Sequence, residues 1–386
     1  MPSEKPEMTS VAMRLPGGRL HLARPGSGPR SLRAWDAADE LLLEYAHKLL
    51  QEREEYRILV IDDRFGALTL GLAAFSPLVV SDIASLIPAL RHNAESNGLT
   101  YPQVHSWLNP PRGLFDLVVL RIPRQADYLR WLLQRVNSLL ADEGRLLAGG
   151  MIKHLPDHSA GIFENLVNTL EVSPARKKAR VIVCEAGQRG GSLKEDWQGY
   201  RTEKPALELE ALPAVFARQK LDIGTRLLLP HVVAGISGLP EGAQVLDLGC
   251  GNGVLGLTAL ALRPDLQMTF SDVSSQALLS ARRNLQTNCP DAAAVFVHHD
   301  GISPNAGRFD LVLLNPPFHE GGVVGDHIAL ALFRQVARHL APGGTLLLVG
   351  NRHLGYHKSL KRHFSRTSQL DADSKFVVFR AGNGTG

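Results

Sequence analysis

The chain repeats itself, and this internal duplication restricts the folds that it can adopt more than any other feature. FDLVVLRIPR at residues 115–124 returns as FDLVLLNPPF at 309–318, with six of ten positions identical. Four further pairs of similar segments occur in the same order and with similar spacing: 57–73 with 243–261, 81–97 with 271–288, 138–150 with 338–350, and 178–187 with 374–382. A collinear set of this kind indicates two copies of one structural unit.

Each copy alternates two kinds of segment. Short, β-branched apolar runs are separated by stretches with helical periodicity, such as SSQALLSARRNLQTN at 274–288. Strands that alternate with helices predict an α/β fold, with βαβ units and a parallel sheet covered on both faces. Residues 187–208 are rich in Gly and charge, so we predict a first domain at 1–195, a linker at 196–208 and a second domain at 209–386.

Composition excludes several classes of protein. Hydrophobic residues make up 44% of the chain and charged residues 21%, and no apolar run approaches the roughly 18 residues of a membrane span. We therefore expect a cytoplasmic protein without membrane contact. The three cysteines and fifteen histidines show no metal-ligand spacing, so we expect no metal. The net charge of +4 permits a nucleic-acid partner without requiring one, and any binding surface must be a local basic patch.

A glycine-rich turn marks a candidate ligand site in the second half. VLDLGCGNGVLG at 245–256 has the order of a strand, a turn and the start of a helix. Gly249, Gly251 and Gly253 allow a sharp turn and close approach of a ligand to the backbone. A dinucleotide fingerprint would need glycine where Val254 stands, so the pattern does not favour a nicotinamide or flavin site.

The second copy of the repeated segment ends in a motif that suits chemistry on a planar nitrogen. An NH2 group conjugated to a π-system is a poor nucleophile, and it must be oriented by hydrogen-bond acceptors before it can react. The side-chain oxygen of Asn315 and the carbonyl of Pro316 could accept its two N–H bonds. Pro316 and Pro317 stiffen the turn, and Phe318 offers a ring on which a base could stack. His319 is a weaker candidate to accept the proton.

The D-x-G-x-G-x-G pattern resembles the first motif of the class I S-adenosylmethionine-dependent methyltransferases, and NPPF resembles the motif of members that methylate planar nitrogen. The resemblance implies that Asp247 holds the amino-acid part of the cofactor, with the three glycines beneath it. It also implies that Asp272 takes the ribose hydroxyls and that Asp300 contacts the adenine amino group. Gly224, in LDIGTRLLL at 221–229, matches a segment that closes over the cofactor, although an ordinary helix start would explain it equally well.

The tandem arrangement resembles the bacterial ribosomal RNA guanine-N2 methyltransferases, which consist of two Rossmann-like class I domains, a degenerate first one and a catalytic second one. This resemblance implies methyl transfer from S-adenosylmethionine to the exocyclic N2 of a guanine, with S-adenosylhomocysteine as product. The basic segment NRHLGYHKSLKRHF at 351–364 favours the large-subunit branch, which acts on 23S rRNA. We expect RNA contacts from Phe318 and from six residues of this segment: Arg352, His353, Tyr356, Lys358, Lys361 and Arg362.

Other functions fit parts of the same pattern. The same reaction on 16S rRNA is one alternative, and methylation of protein glutamine or DNA adenine is another. A non-catalytic RNA-binding factor in ribosome assembly belongs to a different class. Free RNA and a large-subunit assembly intermediate are both suitable substrates. We expect a monomer, because the duplication already supplies two similar units.

The first half has lost the residues that form the cofactor turn. With Gly66 aligned to Gly253, Val60, Asp62 and Arg64 stand opposite Asp247, Gly249 and Gly251. We therefore predict that the first domain binds no S-adenosylmethionine. Its role is to support the fold or to present RNA, with candidate RNA contacts at Arg121, Arg124 and the ARKKAR segment, 175–180.

Overall fold

The computed structural model describes residues 11–15, 18–24, 33–188, 195–317, 319–320, 323–324 and 327–384. The side chains of 319–320 and 323–324 are outside this description. The chain divides into two units, Met1–Asp196 and Trp197–Gly386. The elements of the first unit are β1 Val11–Leu15, β2 Gly18–Leu22, α1 Ala37–Leu49, β3 Ile58–Ile61, α2 Ala67–Gly71, β4 Leu78–Val80, α3 Leu86–Ser96, β5 Val104–His105, β6 Phe115–Arg121, α4 Ala126–Leu139, β7 Leu140–Met151, α5 Ser159–Leu166, β8 Val167–Val172 and β9 Ala179–Ala186.

The second unit repeats this order with small additions. Its elements are β10 Gln198–Glu203, β11 Ala206–Ala211, α6 Ile223–Ser237, β12 Gln244–Leu248, α7 Val254–Leu262, β13 Gln267–Asp272, α8 Ser275–Asn288, β14 Ala294–His298, β15 Phe309–Leu314, β16 His319–Glu320, β17 Val323–Val324, α9 His327–His339, β18 Leu340–Asn351, α10 Tyr356–Leu360, β19 Arg366–Ala372 and β20 Phe376–Gly382. None of the helices among the described residues has both the length and the apolar character needed to cross a bilayer.

Each unit is built on one seven-stranded sheet, and the two sheets have the same topology. The strand orders are β5-β4-β3-β6-β7-β9-β8 and β14-β13-β12-β15-β18-β20-β19. In both sheets the first five strands along the chain are parallel to one another. The last strand along the chain, β9 or β20, inserts between the two strands that precede it and pairs antiparallel with both. The expected duplicated α/β architecture is therefore confirmed, and the repeated FDLVVL and FDLVLL segments occupy β6 and β15.

The central strands are apolar because helices cover both faces of the sheet. Leu311, Val312, Leu313 and Leu314 of β15 are at most 1% exposed, which is the pattern expected of a strand buried on both sides. β12 and β15 are neighbours in the sheet. After β12 the chain continues to β13 on one side of this pair, and after β15 it continues to β18 on the other side. A crevice forms outside the carboxyl ends of such strands, and both the glycine turn and Asn315 lie there.

The segment predicted as a linker is folded instead. Residues 198–211 form the antiparallel hairpin β10–β11 of the second unit, with Gln198 paired to Ala211 and Glu203 to Ala206. Leu207, Leu209 and Ala211 are buried and alternate with more exposed residues, which is the period of a half-buried strand. The division between the units lies at Asp196, close to the predicted boundary. The high content of Gly and charged residues in this segment favoured a linker, because the residues on the outward face of the hairpin are polar.

Asparagines one helical turn apart hold each hairpin in place. In the second unit, Asn284 exchanges two hydrogen bonds with the backbone of Glu210, and Asn288 does the same with Glu208. The first unit repeats the arrangement: Asn93 and Asn97 bond in the same way to Ala23 and His21. The duplication therefore extends to the hairpins, which the sequence comparison did not align.

Candidate active site

The glycine turn joins β12 to α7 and leaves space above its backbone. Gly249, Gly251 and Gly253 have φ angles of +68°, +55° and +86°, a region that residues with a Cβ rarely adopt. A Cβ added at Gly249 or Gly251 would meet no atom within 4 Å, whereas one at Gly253 would press on Ala281. Gly253 is thus required for packing, and the other two border an open volume at the end of the sheet.

Asp247 lies beneath this turn, near the end of β12, and is 1% exposed. Its Oδ2 accepts the backbone N–H of Gly256 at 2.8 Å in the first turn of α7. Its Oδ1 is buried and has no hydrogen-bond partner among the described residues. Burial, reinforced by the negative charge of Asp272, raises the pKa of Asp247 to about 8. A buried acceptor without a partner is costly, and such sites are often functional.

The other two predicted acidic residues follow the neighbouring strands. Asp272 ends β13 and is half-buried; its Oδ2 accepts from the N–H of Gly251 at 2.9 Å, and its Oδ1 accepts from that of Ser274 at 2.9 Å. Asp300 is exposed, two residues after β14. The parallel order β14-β13-β12 brings Asp247, Asp272 and Asp300 to the same edge of the sheet.

Asn315 follows β15 directly and faces the start of α6. Its Nδ2 donates to the Thr225 hydroxyl at 2.9 Å and to Asp222 Oδ2 at 3.3 Å. Its Oδ1 is buried and has no partner in the described part of the chain. Pro316 is buried and Pro317 is exposed. Phe318 lies outside the described residues, and so does the His319 side chain, so their predicted roles stay predictions.

Gly224 lies in the first turn of α6, and two neighbours explain why a glycine is needed there. A Cβ at this position would approach Asp222 Oδ2 at 3.1 Å and the ring of Phe376 at 3.1 and 3.2 Å. Asp222 caps α6 by accepting the N–H of Thr225 at 2.9 Å. The glycine therefore allows α6 to begin close to β20, beside Asn315. Its direct contact with a cofactor remains a prediction.

The basic segment begins at the end of β18, which is the parallel neighbour of β15. His353, Lys358, Lys361 and Arg362 are exposed there. Arg352 is also exposed, and its guanidinium donates to the Asp373 carbonyl. These side chains follow the strand next to β15, and their contact with RNA stays a prediction.

Tyr356 does not suit the predicted role of stacking on RNA. It is 1% exposed, and its ring packs edge-to-face on Phe333, with ring centroids 5.2 Å apart. A Cβ at Gly350 would lie 2.3 Å from this ring. Tyr356, Leu360 and Phe364 are all buried and recur every fourth residue, which is the spacing of one helical face. That spacing in the sequence could have assigned Tyr356 to the core.

Arg121 in the first unit is likewise not available to RNA. It is 7% exposed, and its guanidinium contacts Asp36 at 2.9 and 3.1 Å and Asp39 at 3.3 Å. Arg124 is exposed and contacts His154 at 3.1 Å. In the ARKKAR segment, Arg176 and Lys177 are exposed but pair with Glu44 and Glu40.

Four residues that surround the site, Asp222, Thr225, Asn252 and Asn284, are not among the site residues predicted from the sequence. Asp222 and Thr225 bind Asn315, Asn284 donates to the Asn252 carbonyl at 2.9 Å in the glycine turn, and Asn252 donates to Tyr200 of the hairpin at 3.1 Å. The spacing Asp-x-x-Thr before an apolar run indicates a helix cap, but not the neighbour that it binds. No group of three or more His, Cys, Asp or Glu suited to a metal occurs among the described residues.

Comparisons with known proteins cover both units. The family model described as "Methyltransferase small domain" matches residues 206–380, and the one described as "RLMG N-terminal domain" matches 10–188. Proteins named ribosomal RNA large subunit methyltransferase G include one from Pseudomonas paraeruginosa, 41% identical over 95% of this chain and 98% of its own length. The protein of that name from Alcanivorax borkumensis is 39% identical over 95% of each chain.

A solved structure has the same two-unit fold. It is the 16S rRNA N2 G1207 methyltransferase of T. thermophilus in complex with AdoMet and guanosine. The similarity covers 97% of this chain and 98% of that one, with a TM-score of 0.73 and 25% sequence identity. The full-length matches at about 40% identity are to the large-subunit enzymes. The chain therefore belongs to the ribosomal RNA large subunit methyltransferase G family.

Proposed function

We propose that this protein transfers a methyl group from S-adenosylmethionine to the exocyclic N2 of a guanine in 23S ribosomal RNA. One observation carries the proposal: an open glycine turn above Asp247 and an Asn315 oxygen that has no partner among the described residues lie at the ends of two adjacent strands. The names of the family members support the large ribosomal subunit as the source of the RNA.

The residues of the turn fit the cofactor. Asp247 Oδ1, which has no partner within the described part of the chain, would accept a hydrogen bond from the cofactor's ammonium group, and the space above Gly249 and Gly251 would admit its amino-acid part. Asp272, at the end of β13, would bind the ribose hydroxyls, and Asp300 would contact the adenine amino group. When bound, S-adenosylmethionine supplies an electrophilic methyl group on its sulfonium and leaves as S-adenosylhomocysteine.

Asn315 and Pro316 would orient the guanine. Asn315 Oδ1 and the Pro316 carbonyl accept one N–H bond each from the N2 amino group, which draws it out of conjugation and directs its lone pair along the line of attack. Pro316 and Pro317 hold these acceptors rigidly, and Phe318 would stack on the base. The proton of the methylated nitrogen leaves to water, because that nitrogen is strongly acidic while it is positively charged.

We assign the exposed side chains of His353, Lys358, Lys361 and Arg362 to RNA phosphates, with Arg352 beside them. Their exposure and their position after β18 support this assignment. The first unit would support the fold, with Arg124 and the exposed Lys178 and Arg180 of the ARKKAR segment as its remaining candidates for RNA. We propose that the protein acts as a monomer in the cytoplasm, on free 23S rRNA or on an assembly intermediate of the large subunit.

Incubation with tritiated S-adenosylmethionine and protein-free 23S or 16S rRNA, followed by digestion to nucleosides, tests the proposal. Label in N2-methylguanosine from 23S rRNA is the expected result, and Asn315→Ala should strongly reduce it, leaving a slow residual reaction, while cofactor binding persists. Label in 16S rRNA alone would reassign the substrate. Label only in protein or DNA, or no label with either RNA or with subunits, would refute the proposal.

A further inference from the structure

We propose that Asp222 and Thr225 are positioning residues that fix which way the Asn315 amide faces, so that its oxygen, and not its nitrogen, meets the amino group to be methylated. This inference rests on the function proposed above. It concerns the N-terminal turn of α6, two residues of which contact the side chain that follows β15.

The hydrogen bonds around Asn315 run in one direction. Thr225 donates its hydroxyl proton to Asp222 Oδ2 at 3.3 Å, which leaves the hydroxyl lone pairs free to accept from Asn315 Nδ2 at 2.9 Å. The same Asp222 oxygen accepts from Asn315 Nδ2 at 3.3 Å. The Asn315 amide nitrogen therefore has two acceptors, one in the first turn of α6 and one at its N-cap.

These partners settle the orientation of the amide by chemistry. An ionised carboxylate can only accept, so the nitrogen of Asn315 must face Asp222. The oxygen then faces away from α6, where it is buried without a partner among the described residues. A rotation of the amide by 180° would place an NH2 group where the guanine NH2 must lie, with two donors opposed. The wrong orientation would therefore be inactive.

The degenerate unit uses the same three positions for a different purpose. Asp36 caps α1 as Asp222 caps α6, and Asp39 stands three residues later, as Thr225 does. Arg121 of β6 stands at the position that Asn315 has in the second unit, and its guanidinium forms ion pairs with Asp36 and Asp39. The helix start thus holds the strand-end side chain in both units, and only the second unit leaves an acceptor oxygen for a substrate.

The matched variants separate the positioning role from folding. Thr225→Val keeps the shape of this buried side chain and the backbone cap but removes the acceptor of Asn315, whereas Thr225→Ser keeps that acceptor. Asp222→Ser retains a good capping residue but is too short to reach Asn315. Thr258→Val is the control, because it removes a buried hydroxyl of α7 that donates only to the helical carbonyl of Val254.

Single-turnover methylation of 23S rRNA and equilibrium binding of S-adenosylhomocysteine are measured for each full-length variant. We expect Thr225→Val and Asp222→Ser to lower the rate about tenfold, the effect of one hydrogen bond of about 1.4 kcal/mol, with binding unchanged within twofold. Thr225→Ser and Thr258→Val should keep the wild-type rate. In the Asn315→Ala background, Thr225→Val should cause no further loss.

Three outcomes would overturn the inference: a wild-type rate in Thr225→Val, an equal loss in Thr225→Ser, or a loss of cofactor binding that matches the loss of rate. Residual Asn315→Ala activity that falls again with Thr225→Val would also count against it. If the wild-type protein labels no N2-methylguanosine in rRNA, the proposed function fails instead. The wild-type reaction therefore distinguishes the two failures.

Discussion

At the scale of single residues, the second unit buries a carboxyl group, that of Asp247, at an energetic cost. Asp247 has one carboxylate oxygen bonded to Gly256 and one without a partner in the described residues, and burial raises its pKa to about 8. A carboxyl in an unfolded chain titrates near pH 4. The folded chain therefore binds a proton on Asp247 that the unfolded chain releases, between about pH 4 and 8. Stability must fall as the pH rises through that window, by up to about 1.4 kcal/mol per pH unit from this group.

We predict that Asp247→Asn stabilises the second unit in the absence of cofactor, and more so at pH 8 than at pH 5. The amide keeps an acceptor for the Gly256 N–H but has no charge to bury. Calorimetric unfolding at the two pH values measures the effect, and S-adenosylhomocysteine identifies the transition of the second unit in the wild type by shifting it. The same variant should lose cofactor binding.

The transition of the first unit serves as the internal control and should not change. An equal gain in stability at both pH values would contradict the titration of Asp247, as would a loss of stability at pH 8. Asp247 thus illustrates how a residue retained for a ligand can reduce the stability of the unliganded fold.

Single residues also show where sequence reasoning reached its limit. The glycines, Asp247 and Asn315 were identified because their spacing encodes a turn at a strand end, and the sheet places them together. Tyr356 and Arg121 were misassigned because composition suggested exposed RNA contacts, whereas Phe333 and the Asp36–Asp39 pair bury them. Burial of a lone aromatic or cation depends on partners distant in sequence, which spacing alone does not reveal.

At the scale of elements, Asn284 connects the β10–β11 hairpin to the glycine turn. It bonds to the backbone of Glu210 in β11 and donates to the Asn252 carbonyl in the turn. Asn288, one turn later on α8, makes the same kind of hairpin contact with Glu208 but none with the turn among its described bonds. The two asparagines therefore form a matched pair.

We predict that Asn284→Ala weakens S-adenosylhomocysteine binding about tenfold, whereas Asn288→Ala leaves it within twofold. A buried carbonyl that loses its partner costs about 1–3 kcal/mol, and only the first variant leaves one in the glycine turn. Titration calorimetry measures binding, and hydrogen exchange at β11 verifies that both variants loosen the hairpin. Equal affinities in the two variants would show that the turn does not depend on this contact.

The order of elements was predictable for the sheets and not for the hairpins. Strand and helix alternation follows from periodicity, so the repeated βαβ units were identified from it. The β10–β11 hairpin depends on contacts with α8 that are some 80 residues away, such as Glu208 with Asn288. The alternation of Leu207, Leu209 and Ala211 is typical of a half-buried strand, but these residues alone do not indicate which helix covers it.

The exposed lysines in and directly after α10 lead to a prediction about how RNA binding depends on salt concentration. Lys358 and Lys361 are exposed, while Tyr356 and Leu360 of the same segment are buried. Each phosphate contact that is lost reduces the slope of log K against log salt by about 0.7–0.9. Replacing both lysines with Ala should therefore make the slope for 23S rRNA binding less steep by about 1.5.

The double Lys→Arg variant is the control for α10, since it keeps both charges and should keep the slope. Filter binding between low and moderate salt measures it. An unchanged slope in the double Ala variant would remove these lysines from the RNA surface.

At the scale of the whole molecule, the two units use one fold in two ways. The second unit keeps open space above Gly249, whereas Asp62 occupies the equivalent position in the first with a φ of +56°. Asp62 accepts from the Tyr128 hydroxyl at 2.8 Å and from the Asp82 N–H at 3.0 Å. Burial, together with the charge of Asp82, raises the pKa of Asp62 to about 7. The first unit thus places its own side chains where the second leaves room for a ligand.

We therefore predict one cofactor per chain, measured by titration calorimetry with S-adenosylhomocysteine. Arg64 of the first unit aligns with Gly251 of the second. Gly251→Arg, which places the same residue in the glycine turn of the second unit, should reduce the number of sites to zero. The reverse double variant, Asp62→Gly with Arg64→Gly, should still bind only one, because Val60 provides no carboxylate for an ammonium group. Two sites in the wild type, or one site remaining in Gly251→Arg, would mean that the first unit has kept a cofactor function.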